Sequence, residues 1–439
     1  MKGLIITLLL MGFISQSGLA QDFDKTRLDN YFETLEANQK FMGSVAVSQN
    51  GKIIYTKSVG FADLENNIKA SENSKYRIGS ISKTFTAVLA LKAIEENKLD
   101  LDQTIDKFFP KIKNAKKITI KHLLSHSSGI HNFTNDEDYL TWNTQAKTEK
   151  EMVDIITKAG SDFEPGSKNE YSNSNYVLMT YILEKTFKKP YAELLTLYVT
   201  EPLGLTNTYL GSKINPKNSE CNSYRFSETW QLESETDISI PLGAGGIVST
   251  PGDLVKFSDA LFGGQLLKKE SLELMKTTRD NYGIGLFPIP FYDRVGYGHT
   301  GGIDGFTAVY CHFSDGSISY AMTSNGTNYN NNNISIAVLS AVFNRPYDIP
   351  TFTTYAVKAE DLDQYLGVYS STQIQLKITI TRQNNSLIAQ ATGQPSFPLE
   401  ATEKDKFKYD LAGVIMEFNP TEKSMILKQG GGQFFFTKE

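Results

Sequence analysis

Ser80-Ile81-Ser82-Lys83 sets a hydroxyl and an amine at positions i and i+3, on one face of a helix. A serine hydroxyl is a weak nucleophile until a neighbouring base takes its proton. A lysine becomes such a base when burial strips water from its ammonium and lowers its pKa. The stretch that follows is apolar nearly all round: Ile81, Phe85, Val88, Leu89, Leu91 and Ile94. A helix over Ser80–Asn97 therefore belongs inside a core, and it carries Lys83 there with it. Its first turn offers unpaired backbone N–H groups and positive potential beside the serine oxygen. Ser-x-x-Lys by itself recurs by chance, and read alone it is a capping serine with a lysine reaching for solvent.

Two further sets of residues give the pair something to work with. Tyr171-Ser172-Asn173 supplies a phenol that can pass a proton and a carboxamide that can hold a substrate carbonyl and a lysine together. His299-Thr300-Gly301-Gly302 ends a strand-like run. A Gly-rich strand edge lets a substrate backbone lie alongside it. The N–H of Gly302, with that of Ser80, would make an oxyanion hole. Taken singly, each set reads as a turn. His122 and His126 stand at i and i+4, a spacing that can hold zinc. No Glu follows His122 in the His-Glu-x-x-His manner and no third ligand accompanies the pair, so helix-end hydrogen bonding is expected and no metal. Trp142 and Trp230 read as core or rim residues, and Asn328–Asn333 as a polar loop without a binding role.

The elements that must position these groups follow from periodicity. Leu28, Phe32 and Leu35 mark an opening amphipathic helix over 24–40. Val45 and Val47, an Asn50-Gly51 turn, and Ile53 and Tyr55 make a hairpin. Tyr282–Phe287, Val295–Gly301 and Phe306–Phe313 read as strands, followed by Ile318, Tyr320 and Met322, with a closing helix over Ile334–Phe343. Strands at both ends with helices between predict an α+β domain whose ends share one antiparallel sheet. Asn344–Pro350 holds two prolines and no periodicity, which sets a boundary. Beyond it the period becomes two, as in Ile374, Leu376, Ile378 and Ile380, and short runs at Lys406–Tyr409, Val414–Phe418, Met425–Leu427 and Phe434–Phe436 predict a small all-β barrel or sandwich. The expected layout is residues 1–20 as a leader, 21–345 as the hydrolase domain and 351–439 as the barrel.

Bulk properties narrow the rest. The 439-residue chain carries a formal charge of −5 and no long block of Lys and Arg, which argues against nucleic acid as a partner. Lys2, the apolar run Leu4–Ile14 and Gly18-Leu19-Ala20 read as a cleavable signal peptide, with an apolar run too short to span a bilayer. The expected location is periplasmic or secreted, with no stable membrane anchor after cleavage. Cys221 and Cys311 do not look like a disulfide framework.

In order and spacing the three sets resemble the serine β-lactamase and penicillin-binding-protein superfamily, in the branch of class C β-lactamases and D-alanyl-D-alanine carboxypeptidases. Surrounding text adds to the likeness: Tyr76-Arg77-Ile78-Gly79-Ser80, Ile120-Lys121-His122-Leu123-Leu124-Ser125-His126-Ser127-Ser128-Gly129, Tyr176 after Tyr171-Ser172-Asn173, and Gly243-Ala244-Gly245-Gly246. The resemblance covers about 25–343. It implies an antiparallel sheet flanked by helices with an all-α subregion. It also implies Ser80 as nucleophile, Lys83 and Tyr171 sharing acid–base duty, and Asn173, His299, Thr300 and Gly301 positioning a small peptide, ester or β-lactam substrate. Ser80 and Gly302 are the expected oxyanion hole, and no cofactor is implied. The tail, with Tyr365-Leu366-Gly367-Val368-Tyr369, looks like the lipocalin-like domain appended to some D-aminopeptidases.

Two departures matter. Lactamases of this branch usually carry Lys-Thr-Gly where His299-Thr300-Gly301 stands here. A partly charged His would grip a carboxylate less firmly. No Glu-x-x-Leu-Asn loop of the class A kind is present, since Glu164 sits in a Glu-Pro-Gly-Ser turn. The leading expectation is an amidohydrolase of the DD-peptidase type on D-amino-acid-containing cell-wall peptides. A β-lactamase, or an esterase or D-aminopeptidase with the same machinery, is the alternative. A non-turnover penicillin sensor is the alternative from another class, and it would need a transmembrane relay that the sequence lacks.

Overall fold

The computed structural model describes residues 23–227, 229–352, 355–429 and 432–439. The signal-peptide reading for 1–20 lies outside the described residues. Among these, no helix is long and apolar enough to cross a membrane.

Alternating apolar residues build one six-stranded antiparallel sheet. Its order is Phe287–Phe291, Arg294–Ile303, Phe306–Phe313, Ile318–Thr327, Phe41–Gln49 and Lys52–Val59. The N-terminal strand pairs with a late one, Val45 opposite Met322 and Val47 opposite Tyr320. That pairing closes the domain around both of its ends. One face packs against Lys25–Ala37 and Asn331–Val342, which bury Leu28, Phe32, Leu35, Ile334 and Val338. The other face packs on Pro251–Phe262 and on Ser82–Glu95, whose Phe85 stacks on Phe257 at 3.9 Å between ring centroids. The helix-rich region between, with Glu149–Ala159 and Asn173–Phe187, shares this second core.

The tail forms a closed barrel of eight antiparallel strands, from Gly367–Ser370 to Gly432–Lys438, with the first strand paired to the last. Tyr369, Ile380, Leu387, Phe407, Phe418 and Phe436 fill it. Lys40 of the first domain reaches the barrel's Asp410 at 2.8 Å. The Phe352 ring lies 5.1 Å from the Lys40 ammonium and 4.6 Å from that of Lys408.

Two local expectations change. The strand expected over Tyr282–Phe287 begins only at Phe287 and runs to Phe291. Thr84 Oγ1 donates to the Gly285 carbonyl at 2.8 Å, and Gly285 takes φ +65°, so this segment bends onto the helix Ser82–Glu95 instead of joining the sheet. Pro288 and Pro290, which hid the strand, lie in the edge strand, where a missing N–H is tolerated. The polar run Asn328–Asn333 is partly helical: Asn330 accepts from the N–H groups of Asn332 and Asn333 and caps Asn331–Val342. Cys221 and Cys311 are both free and buried, in different apolar clusters.

Candidate active site

Ser80 sits in a 3-10 turn, Gly79–Ile81, that runs directly into the helix Ser82–Glu95. Because that helix is apolar on every side, it threads the core, and Lys83 is fully buried. Lys83 Nζ lies 3.0 Å from Ser80 Oγ, 2.8 Å from Asn173 Oδ1 and 2.6 Å from the Ala244 carbonyl oxygen. A neutral amine has two N–H bonds and one lone pair. Asn173 and Ala244 take the two hydrogens, which leaves the lone pair facing the Ser80 hydroxyl. Desolvation drives the Lys83 pKa well below its ordinary value. The chain has thus set an amine shifted toward its neutral form against the Ser80 hydroxyl.

Both acceptors are themselves fixed. Asn173 opens the helix Asn173–Phe187. Its backbone N–H donates to Asn132 Oδ1 at 2.9 Å, and its Nδ2 donates to Thr134 Oγ1 at 3.0 Å, which turns Oδ1 toward Lys83. The Ala244 carbonyl is placed by Gly243, whose own carbonyl accepts from Thr86 Oγ1 at 2.7 Å. A Cβ on Gly243 would lie 2.5 Å from the hydroxyl oxygens of Thr86 and Thr180.

Tyr171 completes the group. Its ring centroid is 4.8 Å from Lys83 Nζ and stacks on His126 at 4.4 Å. Burial pushes the phenol pKa above its usual value, and an interaction with the Ser80 hydroxyl opposes that rise. Tyr171 is therefore a neutral phenol at neutral pH. His126, buried and held neutral by burial and by Lys83, accepts from the Ser172 N–H at 3.2 Å. His122 caps its helix through a reciprocal bond with Thr119. The two histidines thus hold a helix start and a tyrosine ring.

His299 lies on the strand Arg294–Ile303, only 2% exposed, beneath the Phe287 ring at 4.4 Å. Burial, and then Lys83, lowers its pKa to about 3. The imidazole is neutral across the physiological range. The expected grip of a partly charged His299 on a carboxylate has no charge to rest on. Thr300 and Gly302 are exposed.

That strand lies hard against the Gly79–Ile81 turn. A Cβ on Gly301 would fall 2.0 Å from the Ile78 carbonyl oxygen and 3.1 Å from Ser80 N, and one on Gly79 would fall 2.6 Å from Gly302 N. Glycine at 79 and 301 lets the Ser80 and Gly302 N–H groups stand together, as an oxyanion hole requires. Alanine at Gly301 must push the strand away. We expect kcat on a small ester to fall by about 10²-fold or more, the loss typical of one oxyanion donor. Steady-state kinetics beside a melting curve checks this, and an unchanged kcat would place the oxyanion donors elsewhere.

Ser80, Asn173 and Gly302 open onto a cleft of about 360 Å³ walled by Phe133, Tyr139 and Ile303. A buried network that spacing alone does not reveal stands behind it. Arg77, 2% exposed, donates through Nη1 to the Thr236 carbonyl at 2.7 Å and to Asp304 Oδ2 at 3.1 Å. Its Nη2 donates to the Ser212 carbonyl at 3.0 Å and to Glu235 Oε1 at 2.5 Å. Asp304 Oδ1 also accepts from Thr236 N and Oγ1, at 3.1 and 2.6 Å.

Comparison with known proteins agrees with this layout. Penicillin-binding protein 4* of Bacillus subtilis is 27% identical, over 93% of this chain and 97% of that one. Teichoic acid D-alanine hydrolase of Staphylococcus aureus is 28% identical, over 65% of this chain and 70% of that one. In crystals, D-amino acid amidase from Ochrobactrum anthropi SV3 superposes with a TM-score of 0.64 at 27% identity, covering 72% of this chain and 99% of that one. The sequence profile described as "Beta-lactamase" matches residues 28–343, which include every residue of the cleft. On that match, and with a solved relative of the same fold, this chain belongs to the beta-lactamase family.

Proposed function

We propose that this chain is a serine amidohydrolase that cleaves amides and peptides of D-amino acids through an acyl-enzyme on Ser80. The observation that carries the reading is the 3.0 Å contact between Ser80 Oγ and a Lys83 amine with its other hydrogens already placed. Ser80 Oγ attacks the substrate carbonyl carbon while its proton passes to Lys83 Nζ. The carbonyl oxygen gains negative charge and is met by the Ser80 and Gly302 N–H groups. Collapse breaks the C–N bond, and the leaving amine takes a proton relayed through the Tyr171 phenol from Lys83. Water then attacks the ester, the same base takes its proton, and Ser80 is released with a carboxylic acid.

Three further considerations support the choice of substrate. The relatives named for D-amino acid amidase and teichoic acid D-alanine hydrolase both act on D-amino acid derivatives by their names. A β-lactam presents a carboxylate, and the cleft wall includes no Lys, Arg or His among the described residues. Export directed by residues 1–20 belongs to the same proposal, because wall-derived D-amino acids lie outside the cytoplasm.

The test is a panel of D- and L-alanine amides, N-acetyl-D-alanyl-D-alanine and benzylpenicillin, with acylated protein followed by mass spectrometry. Hydrolysis of at least one D-substrate at ten or more times the rate of its L-isomer is expected, with slow release of any penicilloyl group. Fast penicillin turnover with no action on any D-substrate would make the protein a β-lactamase instead.

A further inference from the structure

We infer that Arg77 and Asp304 are positioning residues of the oxyanion hole: their buried ion pair holds the Ser80 and Gly302 N–H groups at the separation that acyl transfer needs. The inference rests on the acyl-enzyme reading and deepens it, because it names the pair that keeps the two halves of the hole together.

The two donors belong to different sheets. Ser80 follows the strand Tyr76–Arg77, which pairs with Ile247–Ser249 in a small three-stranded sheet. Gly302 lies near the end of Arg294–Ile303, a strand of the six-stranded sheet. That strand pairs with Phe306–Phe313 on one side as far as Ile303, but with Phe287–Phe291 on the other only as far as Gly298. Among the described residues no ladder continues along the second edge past Gly298. In this stretch the Gly79–Ile81 turn meets the strand through bare backbone, with no room for a Cβ on Gly79 or Gly301. Van der Waals contact of this kind stops the two segments from closing further but resists their drifting apart only weakly. A separate tie must hold the gap.

Arg77 and Asp304 stand where such a tie belongs. Arg77 is three residues before Ser80, and Asp304 is two after Gly302. Arg77 Nη1 donates to Asp304 Oδ2 at 3.1 Å, and the two side chains are only 1% and 3% exposed. Thr236 closes the ring: its carbonyl accepts from the same Nη1 at 2.7 Å, and its N–H and hydroxyl both donate to Asp304 Oδ1. Each anchor is itself stiff. Arg77 is fixed in its strand opposite Val248, and its Nη2 is spent on the Ser212 carbonyl and Glu235. Asp304 sits with Gly305 in the two-residue turn between Ile303 and Phe306, at φ +52°, a left-handed conformation that Asp and Asn tolerate. The bond from Gly305 N–H to Ser223 Oγ, which also holds that turn, is longer, at 3.3 Å.

A buried ion pair adds little net stability over an apolar pair of the same volume, because desolvation offsets the attraction. What this one supplies is geometry, since a planar guanidinium fixes the direction and length of each bond it donates. Oxyanion donors must lie about 2.7–3.1 Å from the developing charge. Slack between the two segments therefore weakens stabilisation of the transition state and leaves binding of the uncharged ground state nearly unchanged.

Asp304→Asn and Arg77→Lys test the pair, with a p-nitrophenyl acetate burst for acylation and phenylboronic acid as a tetrahedral mimic on Ser80. Asparagine keeps the left-handed turn but sets an amide N–H against a donor whichever way it points, and lysine keeps the buried charge but loses the fork. In each folded variant, checked by a melting curve, the acylation rate constant should fall by about 10–100-fold, somewhat less than the loss of one whole oxyanion donor. The ester concentration at half-maximal rate should stay within about twofold, and the boronic acid should bind more weakly by the same factor as the rate. The pH at which acylation levels off should not move, since the contacts of Lys83 are untouched. A folded variant acylated at the wild-type rate overturns the inference. So does a rate loss without a matching loss of boronic acid affinity, or one accompanied by a shifted pH profile, which would act through Lys83. Two variants that do not fold would leave the pair a scaffold contact and overturn it as well. A wild type with no burst and no boronic acid adduct strikes instead at the acyl-enzyme reading beneath it.

Discussion

Alanine at Ser80 will end covalent labelling by fluorophosphonates and lower turnover by about 10⁶-fold, the scale seen when a nucleophile that works as a unit with its base is removed. The fold should survive. The Ser80 side chain meets Lys83, whose other two acceptors are untouched, and the Tyr171 phenol, which stays anchored by its stacked ring. The expected stability change is about 1 kcal/mol, the usual worth of a single hydrogen bond. Intact-protein mass spectrometry after labelling, with a melting curve on the same sample, separates loss of chemistry from loss of structure. Comparable labelling of the alanine variant would place the nucleophile at another residue.

Lys83→Ala and Tyr171→Phe should each slow acylation by about 10²–10⁴-fold, the range for a positioned proton-transfer group. Because the Tyr171 ring sits 4.8 Å from Lys83 Nζ and its phenol interacts with Ser80, the two act on one proton. The double variant should then be no slower than the worse single, and losses that multiply would contradict a shared task. Phenylalanine keeps the ring stacked on His126 and removes only the hydroxyl. The pH dependence has a definite sign. Lys83 must be neutral to accept the proton, so acylation rises with pH and levels off above the lowered pKa of the amine. Lys83→Arg should be as inactive as alanine, since a guanidinium does not give up its proton.

The juxtaposition of Ser80 and Lys83 was legible in the sequence because a 3-10 turn running straight into a helix keeps them three residues apart in one continuous helical run. Tyr171 and Asn173 were legible through their motif, although the motif alone says nothing of what turns Asn173 Oδ1 toward Lys83. That orientation comes from Asn132 and Thr134, some forty residues upstream in the chain. The Ala244 carbonyl is a backbone atom and leaves no mark beyond the glycines around it. Arg77 stands 158 residues from Glu235 and 227 from Asp304, and no local pattern joins them. His299 shows the opposite limit: its identity was plain, but its charge depends on burial under Phe287, a tertiary fact. In the barrel, the alternating strands were readable. Phe397–Glu403 was not, since Pro398 and the charged residues after it break the apolar alternation.

The edge strand Phe287–Phe291 bears on how this protein behaves among copies of itself. Pro288 and Pro290 lie opposite Tyr297 and Val295, alternating with Phe287, Ile289 and Phe291, and in an antiparallel ladder residues of one parity turn their N–H groups inward and those of the other turn them out. Both missing N–H groups therefore fall on the outer margin, leaving a fringe of carbonyls without the alternating donors that an incoming strand needs. The barrel, being closed, offers no margin at all. Colloidal behaviour is thus written into two imino acids that stand only a few residues from the strand bearing His299. Restoring donors at both positions would convert a guarded rim into a template for sheet growth between molecules.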